Sequence, residues 1–191
     1  MFSRSSRGDI VLYLVSIMVL IAAVLIGMLV HDEREELDSL CSRTKAAWFS
    51  ARTCLEQRNA ILGLTVRILM KEEEVDPIML IDIQTKVRAL NYLLKSPLPT
   101  RDFVVADRAM ETLVSNSLAL LTLRGQKTGK FEKLADLLAS SQNRLALRKM
   151  RYDQNAARLM HEMRTLQGMA VSHLVDVAEP VFWATMRSAN A

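Results

Sequence analysis

The densest group of reactive side chains in the sequence lies between residues 148 and 153. Arg148, Lys149 and Arg151 fall within one helical turn and are followed by Tyr152 and Asp153. Cations next to a phenol and a carboxylate suit a nucleic-acid surface, a catalytic cluster, or one face of a buried helix in a bundle. The rest of the sequence has to decide among these three.

Other arrangements that are typical of catalysis or metal binding do not occur in the sequence. His161 begins a His-Glu pair like that of zinc proteases, but position 165 is Thr where the second histidine ligand is needed. His161 and His173 point about 120° apart on a helix, and the glutamates at 72–74 are expected to be solvated. No phosphate-binding loop, nucleophile elbow or Cys-x-x-Cys motif is present. We therefore expect no catalytic residues, no metal, no cofactor and no enzymatic activity.

The composition argues against nucleic acid as a partner. Lys and Arg number 25 against 21 Asp and Glu, which gives a net charge of only +4 over 191 residues. Aromatic residues make up 5% of the chain, too few for base stacking. Half of the chain is apolar, with six Gly and four Pro, and such a composition favours helices over strands.

The two cysteines, Cys41 and Cys54, are predicted to lie on one helix. Thirteen residues of helix separate two Cα atoms by about 20 Å, whereas a disulfide needs them within about 7 Å. An intrachain bridge is excluded unless that helix breaks. Two unpaired thiols are expected, with an intermolecular disulfide as the alternative.

Residues 10–30 form an uncharged apolar run of about 21 residues, the length that spans a bilayer as a helix. A cleaved signal peptide would have a shorter apolar region followed by a cleavage site of small residues, which is missing here. Ala23 and Gly27 form a small-xxx-small pair that would permit close helix association. The sequence thus predicts a single-pass anchor with the lipid bilayer as partner, and a second copy of the chain is a candidate partner.

The charges next to this run predict its orientation. Arg4 and Arg7 precede it, and a mostly acidic segment follows it. The positive-inside rule then places residues 1–9 in the cytoplasm as a short tail. Residues 31–191 would form a domain on the other side of the membrane, in the periplasm or in the lumen of an organelle.

Four helices are expected, the first running on from the anchor to about residue 71. Asp76-Pro77 starts the second helix, which ends near residue 95, and Thr100 caps the third. The fourth runs from Phe131 to about Asp176. Each has a buried apolar stripe with steps of three, four and seven residues. Together they predict an all-α, antiparallel four-helix bundle with long first and last helices.

This stripe answers part of the question about the cluster at 148–153. Tyr152 falls on the stripe of the fourth helix, so it is expected in the core with its hydroxyl near a polar partner. Flanking arginines then cover the stripe with their stems and keep their charges in water. The cluster is therefore interpreted as one face of a bundle helix.

The unequal helix lengths predict a thinner section next to the membrane, formed by the first and fourth helices alone. Such a section leaves apolar surface for a partner, and we place the candidate contact surface at Met160 and Met163. Phe182 and Trp183 would lie near the same end, either as interfacial anchors or as a plug of the bundle.

Three stretches of the sequence resemble the LemA family of membrane-anchored helical proteins. "AAWFSARTCLEQRNAILGLTV" is similar to the first bundle helix of the family, with Trp48 and Arg58. "FEKLADLLASSQNRLALRKMRYDQNA" is similar to its last helix, and Phe182-Trp183 matches a terminal aromatic pair. The signature positions of the last helix fall on Phe131, Lys149, Arg151, Tyr152 and Asp153.

The sequence also departs from the family pattern. After Arg58 the family favours an Asp and a Pro, where this chain has Ala60 and Gly63. A Tyr-Pro, a second Tyr-Asn and a Phe-Pro of the family are replaced here by Thr122-Leu123, Leu159-Met160 and Leu166-Gln167. The resemblance thus identifies a divergent member, and it makes Arg58 and Asp153 candidates for a polar contact between the first and last helices.

The resemblance implies a function without catalysis. Some relatives act in building or maintaining bacterial membranes, including magnetosome membranes. We expect a single-span scaffold or adaptor with membrane-protein partners, in a bacterial inner membrane or organelle membrane. The alternative is a membrane-anchored ligand-binding or sensory module with a pocket between its helices.

Overall fold

A computed structural model describes residues 5–71, 76–125, 129–165, 169, 171 and 177–183. These residues form four helices: α1 (Ser5–Leu69), α2 (Pro77–Leu93), α3 (Arg101–Gly125) and α4 (Gly129–Met163). α1 packs against α2 and α4, and α3 packs against the same two helices. Because the connections are short, neighbouring helices run antiparallel and close into a bundle. The all-α fold predicted from the sequence is confirmed.

α1 is a single unbroken helix of 65 residues, about 97 Å long. Its residues 12–30 are exposed and apolar on every side, and no other element that the structure describes covers them. By length and composition this part of the helix could cross a membrane. Further along, α1 contributes a buried stripe to the bundle, namely Trp48, Leu55, Leu62, Val66 and Leu69.

The starts of α2 and α3 follow the capping signals of the sequence. The side chain of Asp76 accepts a hydrogen bond from the backbone N–H of Ile78 at 2.9 Å, with Pro77 in the first turn. Thr100 Oγ1 accepts one from the N–H of Phe103 at 3.2 Å. Both side chains bind helix N–H groups that have no partner within the helix, which fixes where each helix begins.

α4 is shorter than predicted, because it ends at Met163 instead of continuing to Asp176. The N–H groups of Arg164 and Thr165 bond to carbonyls three residues back, and Thr165 Oγ1 donates to the carbonyl of Glu162. These tight bonds close the last turn. The predicted continuation through Leu166, Ala170 and Leu174 lies outside the described residues.

The segment 177–183 packs along the bundle. Val177 contacts the cluster around Leu37 and Leu159, and Trp183 is 8% exposed within the main core. The prediction of Trp183 as an interfacial anchor at the membrane is therefore wrong. The alternative expectation, that the aromatic residue plugs the end of the bundle, agrees better with the structure, although the Trp183 ring lies inside the core.

The section of the bundle nearest residue 30 is built mainly from α1 and α4. Leu37, Leu159 and Val171 form a small buried cluster there, separate from the main core. Met163 packs against this cluster and is half-buried, as is Met160. The apolar surface predicted there is thus partly covered at Met163, whose cluster includes Val171 and Val177 from beyond the end of α4.

Both cysteines lie on α1, are half-buried and are unpaired. Burial is the largest influence on the thiol of Cys41 and raises its pKa, and the nearby Asp38 acts in the same direction. Lys45 opposes both effects without cancelling them. Cys41 is therefore a poor nucleophile at neutral pH, because the thiolate is the reactive form.

Candidate functional site

Three helices each place one charged side chain on the buried face of the bundle. Arg58 on α1 and Asp107 on α3 are completely buried, and the side chain of Lys149 on α4 is 12% exposed. Each is flanked on its helix, at a distance of three or four residues, by buried neighbours. These are Leu55 and Leu62 for Arg58, Phe103 and Met110 for Asp107, and Leu145 and Tyr152 for Lys149.

Asp107 is the common acceptor of this cluster. Arg58 Nη2 donates to its Oδ1 at 2.8 Å. Lys149 Nζ donates to its Oδ2, and Trp183 Nε1 donates to the same atom at 3.2 Å. Lys149 Nζ also lies 2.8 Å from Oε1 of the half-exposed Glu111, so the network reaches the surface. One carboxylate thereby ties α1, α4 and the C-terminal segment to α3.

The surroundings of Asp107 keep it ionised. Burial alone would raise the pKa of its carboxyl. The charges of Lys149 and Arg58, together with their hydrogen bonds, outweigh burial and hold the pKa below its ordinary value. The cluster therefore contains an ionised carboxylate between two cations, an arrangement that is stabilising only while all partners are present.

An aromatic cluster lies beside these charges. The rings of Trp48, Phe103, Tyr152 and Trp183 form five pairs with centroids between 5.1 and 6.3 Å apart. Most pairs meet edge to face, a favourable arrangement of aromatic quadrupoles. Lys149 Nζ also lies 5.6 Å from the centroid of the Trp183 ring, within the range of a cation–π contact.

The C-terminal segment is held to this cluster by backbone as well as side chain. The N–H of Trp183 donates to Asp153 Oδ1 at 3.0 Å, and Arg108 Nη2 donates to its carbonyl at 3.4 Å. Together with the bond to Asp107, these contacts fix both the ring and the chain direction of residue 183.

Several buried polar atoms of the cluster have no hydrogen-bond partner among the described residues. They include Trp48 Nε1, Tyr152 Oη and two nitrogens of Arg58. Arg58 Nη2 additionally contacts Asn59 Oδ1 at 3.4 Å, and Asn59 Nδ2 donates to Asn91 Oδ1 of α2 at 2.7 Å. The predicted polar partner of the Tyr152 hydroxyl is therefore not found among these residues. Burial, followed by the charge of Asp153, raises the pKa of this phenol.

A groove of about 710 Å³ opens over the polar network between α3, α4 and the C-terminal segment. Asp107, Glu111 and Lys149 lie in its wall, and Phe182 and Trp183 supply apolar surface. Its volume falls within the range of small-molecule sites, and its few polar groups converge on one region.

The structure brings together five of the seven signature residues predicted from the sequence. Trp48, Arg58, Lys149, Tyr152 and Asp153 all lie in or beside the cluster. The other two lie elsewhere: Phe131 is buried near the start of α4, and Arg151 is exposed.

The proposed pairing of Arg58 with Asp153 is wrong. Arg58 binds Asp107 instead, and Asp153 binds the N–H of Trp183. Asp153 follows the buried Tyr152 directly, so its carboxylate lies to one side of the buried face of α4. The carboxylate that does face Arg58 comes from α3, which the family motifs do not include.

Sequence reasoning missed Asp107, Glu111, Asn59 and Asn91. A signal for Asp107 was available, since it occupies a stripe position of α3 between Phe103 and Met110. Charged residues at stripe positions are almost never fully buried unless paired. Arg58 and Lys149 occupy such positions on their own helices, and together the three indicate a buried ion cluster.

No group of three or more His, Cys, Asp or Glu side chains that could hold a metal ion occurs in the described part of the chain. Glu72, Glu73 and Glu74, which the sequence offered as a weak cation site, lie outside that part, as does His173.

The comparisons with known proteins gave no relative. No family model matches the sequence, and no curated protein or solved structure matches it either. The resemblance to the LemA family therefore stays a prediction that depends on the motifs of the first and last bundle helices.

Proposed function

We propose that the protein is a membrane-anchored adaptor that organises membrane partners, or copies of itself, through its helical bundle. The unbroken α1 is the observation that carries this proposal. The apolar segment 12–30 continues without a linker into the buried stripe that begins at Trp48. A bundle joined to its anchor by a continuous helix is held at a fixed height above the bilayer, which suits a scaffold.

The resemblance to LemA-like proteins adds the setting of this proposal. The adaptor would act in building or organising a bacterial inner membrane or an organelle membrane, of which the magnetosome membrane is one kind. The short N-terminal tail would lie in the cytoplasm, with the bundle on the other side.

The section of α1 next to the membrane is the proposed contact region. Among the described residues, α4 packs on it through Leu37 and Leu159, and Val171 and Val177 add to the same cluster. Glu33 faces Glu162 of α4 there, and burial, then the charges of Glu162 and Glu36, raise its pKa. Half-buried apolar groups such as Leu40 and Met163, next to exposed acidic residues, would favour association of this section with a neighbouring protein.

Crosslinking in intact membranes tests this proposal. Cys41 is unsuitable because it is half-buried and its pKa is raised. The exposed Ser39 on the same section is the better position. Ser39→Cys in a Cys41→Ser, Cys54→Ser background should yield a homodimer or a complex with another membrane protein. Thr85→Cys, on an exposed face of α2, is the matched control and should yield little.

The candidate surface at the methionines can be tested in the same background. Met160→Lys places a charge on the proposed contact surface and should reduce the Ser39→Cys product. Asn143→Lys adds the same charge at an exposed position higher on α4 and should leave the product unchanged. If neither Ser39→Cys nor Thr85→Cys gave a crosslinked product, the adaptor function would be contradicted.

The groove beside Asp107 favours a second function, a ligand-binding or sensory module. Its walls combine Lys149 and Glu111 with the rings of Phe182 and Trp183. A small charged aromatic molecule would suit these groups. A compound screen on the purified full chain should then find ligands that raise the unfolding temperature, and Glu111→Gln should reduce that increase.

A further inference from the structure

A second groove, of about 700 Å³, lies on the opposite flank of α4 from the groove beside Asp107. Arg144, Arg148 and Arg151 line it from α4. Their spacing of four and three residues puts them on one face of the helix, over about 10 Å of its length. All three side chains belong to exposed residues.

This groove is electrostatically one-sided. No carboxylate occurs among its described lining residues, and α1 contributes Ser50, Thr53 and Gln57, which are polar and neutral. Among the described residues, none forms an ion pair or hydrogen bond with the guanidinium groups of the three arginines. By contrast, Arg52 on the neighbouring helix is paired with Glu56 at 2.9 Å. The three charges are thus available to an anionic partner.

Exposed apolar side chains lie between these arginines. Leu147 is 63% exposed and Met150 is 54% exposed, and both line the groove. A small anion would contact the arginines but leave this apolar surface in water. An amphipathic helix would cover both, since carboxylates and apolar residues alternate on one helical face with the same three- and four-residue spacing.

The anchoring bilayer cannot supply the anion. The α1 side of the groove begins at Ser50, twenty residues beyond the apolar segment. A straight helix raises it about 30 Å above the hydrocarbon, and still about 23 Å at a tilt of 40°. Headgroups reach only about 5 to 8 Å, and charges are screened within about 8 Å at physiological salt.

The α1 helix of a neighbouring copy is also a poor source of acids, because Glu56, its one carboxylate at the height of the groove, is paired with Arg52 at 2.9 Å. The acidic stretch of residues 32–38 lies about 27 Å lower on the same helix than the groove residues. Copies anchored side by side in one membrane hold these two regions at different heights. A different protein that carries several acids on one helix face therefore fits the groove better than the α1 helix of a second copy.

We propose that the α1–α4 groove binds an acidic amphipathic helix of a partner protein, with carboxylates spaced to meet Arg144, Arg148 and Arg151. This inference depends on the proposed adaptor function, because it assigns the chemistry of one of its partners. The cluster at 148–153 then has two roles on two faces of α4: Lys149 and Tyr152 stabilise the core, while Arg148 and Arg151 bind.

The test uses the full chain in nanodiscs of zwitterionic lipid and a labelled helical peptide. The peptide is about 18 residues long, enough for an isolated helix, with Glu at positions spaced by four and three and Leu between them. A matched peptide has Gln for each Glu. Fluorescence anisotropy should show binding of the Glu peptide, weakening as salt rises, and at least about tenfold weaker binding of the Gln peptide.

The variant Arg144→Gln, Arg148→Gln, Arg151→Gln should weaken binding of the Glu peptide about tenfold. The control Arg88→Gln, Arg101→Gln, Lys133→Gln removes the same charge from exposed positions on α2, α3 and α4. This control should change the affinity for the Glu peptide less than twofold. Arg148→Glu, Arg151→Glu should in turn bind a Lys peptide in preference to the Glu peptide.

Equal binding of the Glu and Gln peptides, or equal weakening by the two triple variants, would overturn the proposal. Binding of phosphatidylglycerol vesicles without binding of the peptide would assign the groove to an anionic lipid instead, and would also overturn it. The adaptor function is tested separately. If Ser39→Cys still forms crosslinks while the peptide fails to bind, only the inference made for this groove is refuted.

Discussion

Asp107 is the residue on which the buried charges of the bundle converge. It neutralises Arg58 and Lys149, neither of which has another fully buried anionic partner among the described residues. Removing one member of such a buried cluster leaves a charge in the core without compensation. Loss of the carboxylate is therefore expected to lower the free energy of unfolding by more than the intact cluster contributes to it.

Asp107→Asn should lower the free energy of unfolding by about 3 to 5 kcal/mol. The measurement is chemical denaturation of the full chain in mild detergent, followed by far-UV circular dichroism. Asp82→Asn is the control, because Asp82 forms an exposed pair with Lys86 and should cost less than about 1 kcal/mol. Similar costs for the two variants would contradict the buried ion cluster.

Comparison of the wild type with Asp107→Asn also gives a prediction about pH. The folded-state pKa of Asp107 lies below its ordinary value of 3.8, so the unfolded chain binds the proton first as the pH falls. The stabilisation by this carboxylate is complete above pH 3.8 and is lost as the pH falls through the lower, folded-state value. The stability difference between wild type and Asp107→Asn should therefore be constant near neutrality and shrink in acid. A difference that grows in acid would show the opposite sign of the pKa shift.

Tyr152 gives the contrasting prediction for a buried polar atom. Its hydroxyl is buried and has no partner among the described residues, although its ring contacts both tryptophans. Tyr152→Phe should leave the unfolding free energy unchanged or raise it by up to about 1 kcal/mol, whereas Tyr152→Ala should lower it by about 3 to 5 kcal/mol. A loss above about 1.5 kcal/mol in Tyr152→Phe would reveal a hydrogen bond of this hydroxyl.

At the scale of elements, the C-terminal segment 177–183 acts as a fifth part of the bundle. It supplies Trp183 to a ring cluster whose other members come from α1, α3 and α4. The segment has no helix of its own at these residues, so its position depends on tertiary contacts. These are the packing of Val177, Val181 and Phe182 and the hydrogen bonds of Trp183.

Trp183→Ala should lower the unfolding free energy by about 3 to 5 kcal/mol, because it removes a large buried ring from the core. Hydrogen exchange of residues 177–183 should also become faster, which a purely local cavity would not cause. Trp183→Phe is the graded control: it retains most of the ring contacts and loses the hydrogen bond to Asp107, so its cost should be smaller. Equal effects of the two substitutions would mean that the hydrogen bond, and not the ring, holds the segment.

At the scale of the whole molecule, α1 joins an apolar segment to the bundle core without interruption. Whatever binds the bundle is thus held at a height set by the number of helical residues above position 30. The two grooves lie on opposite flanks of α4, with Met150 and Gln154 lining both. An adaptor of this shape presents a polar and aromatic groove on one side and a basic groove on the other.

The proposed orientation is tested by labelling cysteines from outside the cell. In a background without native cysteines, Ser39→Cys should react with a membrane-impermeant maleimide in intact spheroplasts, and Ser3→Cys only after lysis. Arg4→Glu, Arg7→Glu should reduce the labelled fraction of Ser39→Cys, since these two cations set the bias across the membrane. Labelling of Ser3→Cys in intact spheroplasts would place the bundle in the cytoplasm.

The sequence alone determined the four helices, their capped starts and most of the buried residues. These features depend on local physics: the period of apolar residues sets which face is buried, and Asp76 and Thr100 bind the free N–H groups of their own helices. It also determined the apolar segment of α1, because length and lack of charge are properties of the chain itself. Burial is non-directional, so a pattern that predicts which side faces inwards needs no knowledge of the neighbours.

Only the tertiary structure decided which groups meet inside the bundle. Arg58 binds Asp107 across 49 residues of sequence, and Trp183 reaches the same carboxylate across 76. An ion pair or hydrogen bond forms only at a short distance and in a restricted direction, so it depends on the relative heights and rotations of whole helices. A shift of one residue along α3 would present a different side chain to Arg58. For that reason the motifs predicted which residues belong together in the core, while the packing of α3 selected Asp107 as the partner of Arg58.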